Sequence, residues 1–196
     1  MTGSFRGEVD FDVATLDATG DSDGFLLKLD ENGTALWVLS VAGTGEDRGR
    51  SVAVATDGSV RWVGHFGESA SMEGETLSSL GGDDVFIAKV SSAGSVDWVR
   101  SAGGSDGDYG HAVATDGGGL SYVAGVVLDG GLSNSFLLQY DADGELRWGA
   151  KVGGALDNEA LDVAADASGA YLAGHFEGEV AFDAVTLTAT GDYDGF

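Results

Sequence analysis

The chain has 196 residues, 33 of them acidic and 9 basic, for a formal charge of −24. With 34 glycines but no cysteine or proline, disulfides, thiolate chemistry and zinc–cysteine sites are excluded. Such an acidic surface repels phosphate backbones and anionic bilayers, and no apolar run reaches the ~18–20 residues of a membrane span, so neither a nucleic-acid partner nor membrane insertion is expected.

Read in chain order, the first clear element is the apolar run Phe25-Leu26-Leu27-Lys28-Leu29. It is followed by Asp30-Glu31-Asn32-Gly33 and a second apolar run through Trp37. Asn-Gly between two such runs predicts a tight hairpin, because both residues tolerate positive φ. A second hairpin is predicted at Ser51–Val63, turning over Thr56-Asp57-Gly58-Ser59. The first pattern returns as Phe86–Val90 with Gly94 and Trp98, and the second turns at Asp116-Gly117-Gly118-Gly119. It returns again as Phe136–Tyr140, Asp141-Ala142-Asp143-Gly144 and Trp148, followed by a turn at Asp166-Ala167-Ser168-Gly169. No segment carries a long helical period.

The repeat is thus Phe25, Phe86 and Phe136, each 12 residues before Trp37, Trp98 and Trp148, with Gly33, Gly94 and Gly144 four before the Trp. Gly64, Gly125 and Gly174 close the units, which gives approximate limits of 3–64, 65–125 and 126–174 within a single segment, 1–196. Residues 175–196 begin the next unit, and Gly174–Phe196 matches Gly3–Phe25 at 16 of 23 positions. Linkers from closing glycine to Phe span 22 residues, except Gly125 to Phe136 at 11. Four short strands per unit predict an all-β fold of propeller blades, each a four-stranded antiparallel sheet. About three units fall short of the roughly 4–8 blades of a closed ring, so an incomplete propeller, completed by further blades, is expected. The recurring Trp reads as a wedge between sheets, with Gly-x-x-x-Trp leaving room for the neighbour; stacking on carbohydrate is the other use of such a ring.

The pattern Gly-x-Phe-x-Gly…Phe…Leu…Gly-x-x-Asp-x-Phe-x-x-Lys…Gly-x-x-x-Trp resembles the bacterial SBBP β-propeller repeats over essentially the whole chain. Gln139, in place of the lysine seen as Lys28 and Lys89, departs from it. The resemblance implies a non-catalytic scaffold or binding module in a secreted or cell-surface protein, with a protein or carbohydrate ligand. The alternative is part of a propeller enzyme, glycoside-active or quinoprotein-like, whose active site lies outside the segment. The Gly-x-x-x-Trp element is also similar to the tryptophan-docking repeat of quinoprotein dehydrogenases.

No catalytic residue and no bound cofactor are assigned from the sequence. His65 and His175 recur beside closing glycines but give way to Ser4 and Val126 elsewhere, and His111 aligns with Arg50. Asp47, Asp108 and Asp157 each lie 17 residues before a closing glycine. Carboxylates on glycine-rich loops suit calcium, which takes six to eight oxygens, so these three are the candidate metal ligands. The simpler account of the acidic loops is turn chemistry, in which aspartate bonds its own backbone.

Overall fold

The computed structural model describes residues 1–182 and 185–196. Among them every regular element is a strand and every ladder is antiparallel. Strand β1 (Thr2–Phe5) is followed by the small hairpin β2 (Glu8–Asp10) and β3 (Thr15–Asp17), then by β4 (Asp23–Leu29) and β5 (Ala35–Gly43). The first sheet has the order β1-β4-β5 and is continued at the end of β5 by the hairpin Ser69–Met72 and Glu75–Ser78. The second sheet starts with β6 (Arg48–Val54) and β7 (Val60–Phe66). After the hairpin β8 (Ser69–Met72) and β9 (Glu75–Ser78) it resumes with β10 (Asp84–Val90) and β11 (Val96–Ala102). The third sheet joins β12 (Asp108–Thr115), β13 (Ser121–Asp129), β14 (Leu132–Tyr140) and β15 (Leu146–Val152) in sequence order. The fourth contains β16 (Asn158–Asp166), β17 (Gly169–Phe176) and β20 (Asp194–Gly195), with the hairpin β18 (Glu179–Phe182) and β19 (Val185–Thr188) between the last two.

All the predicted turns are present. Their aspartates act locally: Asp30 Oδ1 accepts the amides of Asn32 and Thr34, each at 2.8 Å. Asp116 Oδ1 accepts those of Gly118 and Leu120, and Asp141 those of Asp143 and Glu145. Gly33, Gly94 and Gly144 take φ of +83°, +90° and +79°, a region that costs little only for glycine.

The sheets divide the repeat at a different phase from units framed on closing glycines. The hairpin β4–β5 belongs to one sheet and the following hairpin β6–β7 to the next. Gly64, Gly125 and Gly174 lie inside sheets, where they pair with a residue of the third strand: Gly64 faces Phe86 and Gly125 faces Phe136. A Cβ on Gly64 would fall 2.9 Å from the Phe86 ring, and one on Gly125 would fall 2.9 Å from that of Phe136. The glycine is therefore the seat of the phenylalanine.

Linker length has an equally direct cause. Each 22-residue linker holds one of the small hairpins, and the short one closes β13 onto β14 through Gly130 and Gly131 alone. The small hairpins reach back to the preceding sheet: β8 pairs with the end of β5, and Val180 of β18 bridges Gly154 after β15.

Three apolar clusters fill the three junctions between successive sheets. Leu26, Leu39 and Val41 of the first sheet meet Trp62, Phe66 and Phe86 of the second, with Met72 and Leu77 of the small hairpin. On the opposite face of the second sheet, Val63, Val85 and Ile87 meet Val113, Val123 and Phe136 of the third. The third junction is lined by smaller groups, chiefly Ala112, Ala114, Ala124, Ala160 and Val163. Alternation along β10 follows the period-2 rule: Phe86 and Ala88 face one junction, Val85 and Ile87 the other.

Candidate functional site

The tryptophans link the sheets in series. Trp37 of β5 lies on Gly94 in the turn of the second sheet, and Trp98 of β11 lies on Gly144 in the turn of the third. A Cβ on these glycines would stand 2.8 and 2.7 Å from the respective indoles. The same polar bond accompanies both contacts, from Trp37 Nε1 to the Ser92 carbonyl (3.2 Å) and from Trp98 Nε1 to that of Ala142 (3.0 Å). Trp98 is buried, Trp37 half-buried, and Trp148 41% exposed. Gly33, the equivalent of Gly94, has open space around it. Phe86 and Phe136 are buried; Phe25, on the outer face of the first sheet, is half-buried and covered by Phe11 at a centroid distance of 5.0 Å. Trp62 carries no repeat signature, yet it is fully buried against Phe86 and donates to Thr2 Oγ1 at 2.7 Å.

The three candidate metal ligands are not brought together. Asp47 and Asp108 mark the starts of β6 and β12, at different junctions, and both are buried. Asp157 is half-buried and accepts the Ser133 amide at 2.7 Å. The buried position at the start of β16 belongs instead to Asn158, because Asn158 pairs with Phe176 as Asp108 pairs with Val127. The third unit is one residue shorter, so counting back from Gly174 misses the register.

Each buried aspartate meets a second one from the preceding sheet, at a position two residues before the repeated phenylalanine. Asp23 adjoins Asp47, and Asp84 adjoins Asp108; at the third junction the pair is Asn134 and Asn158. Backbone amides hold one side of each carboxylate. Asp23 Oδ2 accepts from Thr19, Asp84 Oδ2 from Leu80, and Asp108 Oδ2 from Gly104 at 2.6 Å. Asp47 Oδ1 accepts from Gly67 at 3.2 Å, while Asp23 Oδ1, Asp47 Oδ2 and Asp84 Oδ1 are buried without a partner. Burial, reinforced by Asp23 and Asp83, pushes the Asp47 carboxyl up to about 7. Burial also raises Asp84 and Asp108 above the usual carboxylate range.

A cavity of about 480 Å³ opens between the second and third sheets beside Asp108. Val85, Phe136 and Leu138 form its apolar floor; Gly103, Asp106 and Asp129 stand at its rim. Lys151 at the same rim is held by Asp129 at 2.8 Å. Among the described residues no three His, Asp or Glu side chains converge as a metal centre. A cation here would draw on a carboxylate pair and on backbone carbonyls.

Among the described residues the histidines form no nucleophile–base pair. His65 is buried edge-on to Tyr109 at 5.0 Å, and burial depresses it to about 3, helped by Arg50, Arg48 and His111. His111 Nδ1 lies 3.0 Å from the Ala160 carbonyl, and His111 and His175 flank Glu159 at 3.6 and 3.7 Å. No known protein family and no curated protein matches the chain.

Proposed function

We propose that the chain is a β-propeller repeat segment, in the manner of the SBBP repeats it resembles, and serves a secreted or cell-surface protein as a non-catalytic scaffold or binding module. The observation that carries this reading is the serial docking of Trp37 on Gly94 and of Trp98 on Gly144, which sets the first three sheets face to face at a repeated interval. Sheets joined in this way about a common set of first strands are the construction of a propeller. Contacts of β12 with both β6 and β16 support it. The exposed indole of Trp148 would take a further hairpin of the same kind. Function then lies in the surfaces the array presents, to a protein or carbohydrate ligand.

Two assays test the reading. Purified protein is expected to turn over neither polysaccharides nor alcohols supplied with a quinone cofactor, and turnover of either would overturn the non-catalytic role. Fractionation of producing cells should recover the protein at the outer surface or in the medium; recovery in the cytosol alone would overturn the localisation.

A further inference from the structure

We propose that the carboxylate pair Asp84 and Asp108, at the junction of the second and third sheets, is a calcium site that clamps the two sheets together. Asp84 enters from the start of β10 and Asp108 from the start of β12, so an ion between them touches both sheets. Both side chains pack against the α-carbon of Gly103 from neighbouring sheets: Asp84 Oδ1 lies 2.3 Å and Asp108 Oδ2 2.9 Å from where a Cβ on Gly103 would stand. Glycine at 103 is what leaves that space open to the carboxylates.

Asp84 is 1% exposed, and its Oδ1, aimed into this space, has no hydrogen-bond partner. Among the described residues neither Asp84 nor Asp108 has an ion-pair partner, and Lys151 is engaged by Asp129. Two buried carboxylates without a counter-charge carry a large desolvation cost that a bound cation offsets. The formal charge of the pair matches a divalent ion, and oxygen-only ligation selects calcium over softer metals. The adjoining cavity supplies an entry path and room for water, with Asp106 at its rim.

The next junction is an internal control. There the pair is Asn134 and Asn158, and Gly153 stands where Gly103 does, with its Cβ position 2.4 Å from Asn134 Oδ1. Both carboxylates are exchanged together for neutral amides that find their own partners. Asn158 Oδ1 accepts the Ser135 amide at 2.8 Å, a bond that calls for no cation. At the first junction the equivalent of Gly103 is Ala42, and the pair Asp23 and Asp47 is likewise buried with unpartnered oxygens.

The site is tested by equilibrium dialysis with calcium alone and by thermal melting with calcium or chelator at neutral pH. Wild-type chain is expected to melt several degrees higher with calcium than with chelator, and Asp84→Asn to lose one bound calcium and that gain. Asp116→Asn, in an exposed turn, is expected to keep both. Retention of full calcium binding by Asp84→Asn, or no binding up to about 10 mM, above the ~10⁻⁴–10⁻³ M of extracellular modules, would overturn the proposal. So would a pair neutralised by a proton, seen as a melting point that rises on acidification and ignores calcium. If Asp84→Asn does not fold, Asn134→Asp combined with Asn158→Asp decides: it should add one bound calcium, and failure to do so counts against the site. Loss of this proposal leaves the scaffold reading intact.

Discussion

The indole of Trp98 lies directly on the backbone of Gly144: a Cβ there would stand 2.7 Å from the ring, and Nε1 donates to the Ala142 carbonyl at 3.0 Å. Trp37 and Gly94 repeat the contact one sheet earlier, whereas Gly33 has the same backbone conformation and no ring above it. These three glycines separate conformational strain from steric contact.

Gly33→Ala is expected to cost only the positive-φ term, ~1–2 kcal/mol. Gly94→Ala and Gly144→Ala carry that term plus ring overlap, and should lose a further ~1–3 kcal/mol. Urea denaturation of the three variants compares them, and equal losses would show that the tryptophans do not bear on the turns.

Truncation of the tryptophans should follow their burial. Trp98→Ala removes a buried ring from the second junction and is expected to cost ~3–5 kcal/mol. Trp148→Ala removes a ring that is 41% exposed and should cost well under half of that. Iodide quenching of single-tryptophan variants provides a second readout, with Trp148 quenched more strongly than Trp98.

His65 should make the chain acid-sensitive. Its folded pKa of about 3 lies below the ordinary histidine value of 6.5, so between these limits the unfolded chain binds more protons than the folded one. Stability from this group is present above about pH 6.5 and is lost as pH falls toward 3. Asp47, raised to about 7, works in the opposite sense: its contribution is fully present below about pH 4 and is lost as pH rises through 7. The signature is therefore the difference between wild type and His65→Phe, which should be constant above pH 7 and shift in favour of the variant toward pH 4. Parallel melting curves across that range would show that His65 titrates normally.

Turn aspartates should contribute individually and locally. Asp116→Ala removes an acceptor for two backbone amides and is expected to cost about 1 kcal/mol. Asp116→Asn keeps a carbonyl oxygen in place and should cost less. Thermal melts of the two variants check the order, and equal losses would shift the credit from the acceptor to the charge.

Much of this fold was legible in the residues because its turns are local. Asp30 reaches Asn32 and Thr34, and Gly33 supplies its own positive φ, within five residues of chain. The recurring Phe, Gly and Trp likewise announced strands and a packing contact. The candidate site was less legible. Asp47 and Asp108 were marked by their spacing, but their partners Asp23 and Asp84 stand 24 residues earlier in another sheet. Counted back from Gly174 the spacing picks the half-buried Asp157, whereas counted 10 residues forward from Trp148, as from Trp37 to Asp47 and from Trp98 to Asp108, it picks the buried Asn158; the strand register decides for Asn158.

The sequence by itself determined the all-β character, the hairpins, the turn chemistry and the Gly-x-x-x-Trp repeat, since each depends on interactions over a few residues. Only the tertiary structure decided where one sheet ends and the next begins, that the closing glycines seat phenylalanines, and that Trp62 is core while Trp148 is exposed. It also decided what the charge of −24 is used for. Some carboxylates bond their own turns at the surface, and two pairs are buried between sheets. The physical reason is common to all of these: burial and electrostatic pairing depend on which strands meet across a junction, and those partners lie tens of residues apart.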